Sequence, residues 1–367
     1  MLGSRSRARL FLIAFAGLLT IGCNNNSEKT ATPSPQTNGI IGAGSTFINP
    51  AMSHWIAAFQ SNHPGVQINY QSIGSGGGIQ QLKKGLVDFG ASDAALDDQQ
   101  LREMPPLIQL PESAGPVCIT YNLPELKEPL KLSSATLAGI YLGRITKWQD
   151  PAIKKDNAGV NLPDHPITVA HRADGSGTTN IFTTYLAKIS PDWSKTVGMG
   201  IAVKWPIGMG GKGSEGVTSV VKQATGAIGY VELSYAKENN LPVASIRNQA
   251  GTWTEPSVAA ATAAIAAFQD DLSKDVRTPV VNPPASAKDA YPITGLTYLL
   301  VPKQAKDPSK QQTIKDFVQY IITEGQASAE GLQYAKLPQS LADQDQKLLA
   351  DLRTGGLQTS STQSSGR

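Results

Sequence analysis

The chain has 367 residues, 40% hydrophobic and 17% charged: enough apolar material for a sizeable buried core, and too little charge for a disordered chain. Its formal charge is +3, from 32 Lys and Arg against 29 Asp and Glu, and Arg5, Arg7 and Arg9 supply that excess. The remainder balances, which excludes a nucleic-acid surface built on net basicity, and only two cysteines exclude a disulfide scaffold or a Cys-based metal site.

The three N-terminal arginines precede an apolar stretch, Leu10 to Ile21, too short to span a bilayer comfortably. It ends in Thr20-Ile21-Gly22-Cys23 and a polar Asn24-Asn25-Asn26 run. A small residue before a cysteine at that place is similar to the lipobox of bacterial lipoproteins, in which the cysteine is lipidated and becomes the mature N-terminus. Thr20 departs from the usual Leu, and an ordinary signal peptide cut nearby is the alternative. Residues 1–22 therefore read as a lipoprotein signal peptide, Cys23 as a lipidation site and 23–38, rich in Asn, Ser, Thr and Pro, as a flexible tether. Residues 351–367, mostly Ser, Thr, Gln and Gly from Thr354 onward, read as a disordered tail. Roughly three hundred residues lie between, more than one core of usual size holds, so two lobes are expected.

That body alternates short apolar runs with helical patterns, the signature of an α/β architecture. Pro50 opens a helix in which Met52, Trp55, Ile56 and Phe59 recur at helical spacing. Val66–Tyr70 alternates like a strand, and a helix is expected over Ile79–Lys84. Asp88–Ser92 reads as a strand ending at Asp93. Pro116–Tyr121 reads as a buried strand that makes Cys118 a core thiol, and Ile167–Ala170 is another strand. An Ala-rich helix is expected over Ser257–Phe268. A later helix carries Ile314, Phe317, Val318, Ile321 and Ile322 and stops at Gly325.

Three junctions share one order: strand, small glycine/hydroxyl turn, helix. They are Gly42-Ala43-Gly44-Ser45-Thr46-Phe47, Gly74-Ser75-Gly76-Gly77-Gly78 and Asp174-Gly175-Ser176-Gly177-Thr178. A helix start leaves backbone N–H groups without intrahelical partners, at the positive end of the helix dipole. Glycine lets that backbone approach a ligand, and Ser and Thr add hydroxyl donors. With the guanidinium of Arg172 just ahead of the third turn, the set describes a pocket for a small tetrahedral anion. Asp93 sharpens this. A carboxylate repels an anion unless the anion has a proton to give it; phosphate does at neutral pH and sulfate does not, so Asp93 in such a pocket would select by proton inventory.

Catalytic patterns fail. No serine in these turns is flanked by glycines at −2 and +2, and His54, His63, His165 and His171 lack metalloprotease spacing. Gly208–Ser214 resembles a phosphate-binding loop but has Pro206 where its first glycine belongs and Gly213 between Lys212 and Ser214. Phe47 takes the place of the third glycine of a dinucleotide turn. No enzyme, cofactor or metal is expected.

The junction blocks, with Val87–Asp93, Tyr141–Trp148, Lys204–Gly208, Gly226–Glu232 and Tyr291–Thr294, resemble in order the PstS family of periplasmic phosphate-binding proteins, over about residues 39 to 345. The resemblance implies an α/β, two-lobed periplasmic binding protein fold of type II with a hinge between lobes. Lobe one would comprise 39–112 and 290–350 and lobe two 113–289, with crossings near Pro111–Gly115 and Asp289–Tyr291. It further implies that inorganic phosphate is held by the Thr46 hydroxyl, the Phe47 N–H, Ser75, Asp93 as proton acceptor, Arg172 steadied by Asp174, and Ser176, Gly177 and Thr178. Gly76 stands where a second Ser is frequent, and His171 where a second basic residue is frequent. The implied partners are the permease and ATPase subunits of a phosphate ABC transporter, with a lipid anchor at Cys23 holding the protein to the membrane on the periplasmic side. A lipoprotein that only scavenges or senses phosphate is the alternative.

Overall fold

The computed structural model describes residues 39–350 and Leu352. The expected signal peptide, Cys23, the expected tether and nearly all of the expected tail lie outside the described residues. The strands are β1 (Ile40–Gly44), β2 (Ile68–Ser72), β3 (Phe89–Ser92), β4 (Leu107–Tyr121), β5 (Lys131–Leu132), β6 (Thr168–Arg172), β7 (Met209–Gly211), β8 (Ala227–Glu232), β9 (Ser245–Arg247), β10 (Trp253–Thr254) and β11 (Thr294–Pro302).

Eight of them form one sheet in the order β2-β1-β3-β11-β4-β8-β6-β7, and β10-β9-β5 form a small second sheet. At one end β1 pairs in parallel with β2 and β3, and at the other β6 pairs in parallel with β7 and β8. The antiparallel strands β11 and β4 join the two parallel halves. β4 is 15 residues long and changes partner along its length: Leu107 to Pro116 run against β11, and Val117 to Tyr121 run against β8. The sequence signals only its second part, because Pro111, Glu112 and Pro116 interrupt the apolar pattern. Proline lacks an N–H and is tolerated in a strand where the ladder is irregular. Here the register slips between Thr297 and Tyr298, leaving Glu112 as the extra residue of a bulge, and Pro116 stands where the partner changes.

The helix over Asn49–Asn62 buries Met52, Trp55, Ile56 and Phe59 as their spacing requires, and Gln311–Ile322 buries Ile314, Phe317, Val318, Ile321 and Ile322. The two meet edge to face at Phe59 and Phe317, with ring centroids 5.2 Å apart. The Ala-rich helix runs Val258–Ala266, and its Ala261 and Ile265 pack with Leu296 and Tyr298 of β11. Around β6 and β8 the core is aromatic: Tyr141, Phe182 and Tyr230 are buried, and Trp205 stacks between Tyr230 and His171. Cys118 is buried on β4, as expected of a core thiol.

One helix begins earlier than its composition suggests. It spans Ser75–Lys83, so Gly76, Gly77 and Gly78 lie in its first turn instead of ahead of Ile79. Glycine is a poor helix former. The tertiary reason is close approach: a Cβ on Gly78 would fall on the backbone of Ala43 and Gly44 in β1. Among the described residues no helix is long and apolar enough to cross a membrane.

Candidate functional site

Parallel strands of both halves end at one place, and a glycine/hydroxyl junction follows β1, β2, β6 and β7. In open α/β sheets ligands sit outside the carboxyl ends of the strands, where strand order reverses. β1 delivers Ser45, Thr46 and Phe47; β2 leads to Ser75; β3 delivers Asp93; β6 ends on Arg172 and leads to Ser176–Thr178; β7 leads to Ser214.

These groups meet across the boundary between the halves. Ser75 Oγ accepts the backbone N–H of Asp93 at 3.2 Å and that of Gly177 at 3.1 Å, tying the second junction to the third. Gly76 N–H donates to the Gly175 carbonyl at 2.9 Å. Thr46 Oγ1 lies 2.9 Å from Ser214 Oγ and accepts the Ser214 N–H at 3.3 Å. The fit leaves no room for a side chain at Gly177, where a Cβ would come within 2.6 Å of Asp93 Cβ and Ser75 Oγ. Phe47 is buried, and its carbonyl accepts the Tyr334 hydroxyl at 2.6 Å.

Arg172 is held in one orientation. Its Nε donates to Asp174 Oδ1 at 2.8 Å and its Nη2 to Asp174 Oδ2 at 2.5 Å, the bidentate geometry a planar guanidinium suits. The inner nitrogen, Nη1, faces Thr178 Oγ1 at 3.4 Å and Ser214 Oγ at 3.5 Å. Asp174 also accepts Gly213 N–H at 3.0 Å. Burial pushes the Asp174 carboxyl up, but the hydrogen bonds and charge of Arg172 outweigh it and hold it below the ordinary carboxylate range. Ser176 caps the Gly177–Ile189 helix by accepting Thr179 N–H at 3.0 Å, and its own N–H goes to the Ile201 carbonyl. Tyr230 braces the strand from behind, accepting the Arg172 N–H at 3.1 Å and lying 2.6 Å from Thr179 Oγ1.

Asp93 is 4% exposed and accepts the Ser45 hydroxyl at 2.5 Å. Burial raises it to about 6, against the hydrogen bonds of Ser45, Thr297 and Ser75 and the charge of Arg172. It is therefore mainly ionised at pH 7 and above, an acceptor among donors. Among the described residues no group of three or more His, Cys, Asp or Glu could hold a metal ion.

All the expected residues of the body, Thr46, Phe47, Ser75, Asp93, Arg172, Asp174, Ser176, Gly177 and Thr178, come together here; Cys23 lies outside the described residues. Three participants escape the sequence reading. Ser45 adjoins Thr46 and bonds Asp93. Ser214 belongs to a fourth strand–glycine/hydroxyl–helix junction, with β7 before it and the Gly213–Gln223 helix after it, whose signal is masked by a three-residue strand. Glu232 closes the otherwise apolar β8, and its Oε2 lies 3.1 Å from Ser214 Oγ.

Two parallel-stranded halves joined through antiparallel strands, with anion-ready junctions facing each other where they meet, define a two-lobed binding protein. Residues 29–324 match the model of the PBP superfamily domain. A phosphate-binding protein PstS of Xylella fastidiosa (strain Temecula1) is 43% identical over 88% of this chain and 89% of its own, and one of Pasteurella multocida is 41% identical over 87% and 91%. Among solved structures, a high-affinity periplasmic phosphate-binding protein bound with phosphate (PfluDING) superposes with a TM-score of 0.67 at 23% identity, covering 84% of this chain and 93% of that one. The chain belongs to the PstS family of phosphate-binding proteins.

Proposed function

We propose that this protein captures inorganic phosphate in the cleft between its two lobes and delivers it to the permease and ATPase of an ABC transporter, without catalysing a reaction. One observation carries the choice of ligand: a buried carboxylate, Asp93, stands in a ring of donors made by Thr46, Ser75, Arg172 and the N-terminus of the Gly177–Ile189 helix. Dibasic or monobasic phosphate donates a hydrogen bond to Asp93 and accepts hydrogen bonds from the rest, whereas fully ionised sulfate meets an uncompensated negative charge. The proposed ligand groups are the Thr46 hydroxyl, Phe47 N–H, Ser75, Asp93, Arg172 with Asp174 behind it, Ser176, Gly177 and Thr178.

We place lobe one at 39–112 and 290–350 and lobe two at 113–289, hinged where β4 and the chain entering β11 cross. Lobe one then brings Thr46, Ser75 and Asp93, and lobe two Arg172 to Thr178, so phosphate stabilises the closed form by contacting both. The protein works on the periplasmic side of the membrane, anchored by lipid at Cys23 through the tether that follows.

Calorimetric titration of ligand-stripped protein lacking residues 1–23, and of its Asp93→Asn variant, tests the reading at pH 8. The parent is expected to bind phosphate one to one and to ignore sulfate, and Asp93→Asn to admit sulfate. Sulfate bound equally by the parent would make this a general oxyanion receptor. Continued exclusion of sulfate by Asp93→Asn would sink the proton-inventory argument.

A further inference from the structure

Glu232 is not among the proposed ligand groups, yet its carboxyl is linked to one of them through Ser214. The residue is 1% exposed at the end of β8. Its Oε2 lies 3.1 Å from Ser214 Oγ, and its Oε1 has no hydrogen-bond partner among the described residues. Ser214 Oγ in turn lies 2.9 Å from Thr46 Oγ1 and receives Arg172 Nη1 at 3.5 Å. Glu232, Ser214 and Thr46 are thus three links of a chain that ends on a proposed ligand group.

Counting protons decides which way that chain points. A hydroxyl oxygen has one proton to give and two lone pairs to fill. Arg172 fills one lone pair of Ser214. An ionised Glu232 is acceptor only, so it takes the Ser214 proton, and the second Ser214 lone pair then draws the Thr46 proton away from the cleft. A protonated Glu232 donates to that second lone pair instead. The Ser214 proton then goes to Thr46 Oγ1, which already accepts Ser214 N–H at 3.3 Å. With both its lone pairs filled, Thr46 directs its own proton toward the ligand.

We infer that Glu232 is a positioning residue for the bound anion: carrying its proton, it donates to Ser214 and through that hydroxyl turns the Thr46 proton toward phosphate. The inference rests on the phosphate reading above. Its surroundings favour the neutral form. Burial pushes the Glu232 carboxyl well above the ordinary range, and the charge of Asp93 adds to this against the Ser214 hydrogen bond and Arg172. The other titratable groups that face it, Cys118 on β4, Tyr235 on the Leu233–Glu238 helix and Tyr334, bring no opposing cation. A neutral acid also spares the site a further negative charge beside the anion.

The test combines phosphate titrations of the parent, Glu232→Gln, Glu232→Ala, Ser214→Ala and the double alanine variant with infrared difference spectra, phosphate-bound minus free, at pH 7. Gln donates as the neutral acid does and cannot ionise, so Glu232→Gln should bind within about threefold of the parent. Each single alanine variant should lose roughly five- to twentyfold, as one or two ordinary hydrogen bonds are worth, and the double variant little more than either. A protonated-carboxyl C=O band should shift on phosphate binding in the parent, stay unshifted in Ser214→Ala and be missing from Glu232→Gln. A tenfold or greater loss in Glu232→Gln, multiplicative losses in the double variant, or no such band would overturn the assignment. Should Glu232→Gln fail to fold, the band in Ser214→Ala decides. A parent that binds no phosphate sinks the functional reading itself; a parent that binds with any overturning result above sinks only the role of Glu232.

Discussion

Replacing Arg172 removes the one cation whose inner nitrogen is aimed into the donor ring. Its side chain is 1% exposed, and Nε and Nη2 are committed to Asp174, which leaves Nη1, beside Thr178 and Ser214, as the donor available to the proposed ligand. A charge pair about 4 Å apart at an effective dielectric near 20 interacts by about 4 kcal/mol. Truncating one partner of a buried, hydrogen-bonded pair costs roughly 2–5 kcal/mol. Arg172→Ala should therefore weaken phosphate binding by about 30- to 4,000-fold. Part of any loss could come from the fold, because Asp174 would be left with its charge half-buried and unpaired. Arg172→Lys separates the two effects: it keeps a cation for Asp174 but cannot span both the carboxylate and the ligand. Lys should restore most of the melting temperature and leave affinity at least about tenfold down. The assay is calorimetric titration with phosphate, alongside thermal melting of the ligand-free proteins. Affinity within threefold of the parent in Arg172→Ala would refute the argument and return the Arg172–Asp174 pair to a purely structural role.

Two further outcomes follow from local geometry. Gly177→Ala places a Cβ within 2.6 Å of Asp93 Cβ and Ser75 Oγ. Overpacking of this kind costs about 1–3 kcal/mol, here charged to the ligand-bound closed form, so phosphate affinity should fall roughly 5- to 150-fold with the ligand-free melting temperature unchanged or slightly higher. An undiminished phosphate-induced rise in melting temperature would contradict it. Asp345 is fully buried, neither carboxylate oxygen has a hydrogen-bond partner among the described residues, and burial raises it to about 8. A raised acid contributes its stability below the unfolded value of 3.8 and loses it as pH climbs through about 8. Asp345→Asn should therefore be neutral near pH 4 and stabilising near pH 8. Each tenfold change in proton affinity is worth roughly 1.4 kcal/mol, and solvent penetration trims the total to on the order of 2 kcal/mol. Urea unfolding at both pH values in phosphate-free buffer measures it, and an equal effect at the two would be contrary evidence.

The candidate site is largely legible in the sequence because its chemistry is carried by residues that have few other reasons to cluster. Glycines with Ser and Thr between an apolar run and a helical pattern mark where backbone donors are offered, and Asp93 at a strand end stands out among small residues. The missing pieces are ones whose meaning lies in tertiary contact. Gly76 to Gly78 argue against helix locally, and only the approach of Gly78 to β1 explains why helix wins. Ser214 looks like part of a failed phosphate loop until Thr46, 168 positions earlier in the chain, is set beside it. Glu232 reads as the polar end of a strand, and its burial follows from packing that no local pattern encodes. β4 is half hidden because prolines that usually end a strand sit here at a bulge and at a change of partner.

The order in which the sheet is completed has its own consequence. β11 lies between β3 and β4, yet it is made of residues Thr294–Pro302, long after both neighbours. At common elongation rates of about 5–20 residues per second, the chain spends roughly ten to forty seconds with β3 and the first part of β4 synthesised and nothing to separate them. Each then offers an unpaired row of backbone groups, the kind of edge that invites wrong partners. The sheet therefore cannot close in the order in which it is made. Its central strand arrives among the last, and every contact between the two halves that runs through it is assembled only on a nearly finished chain.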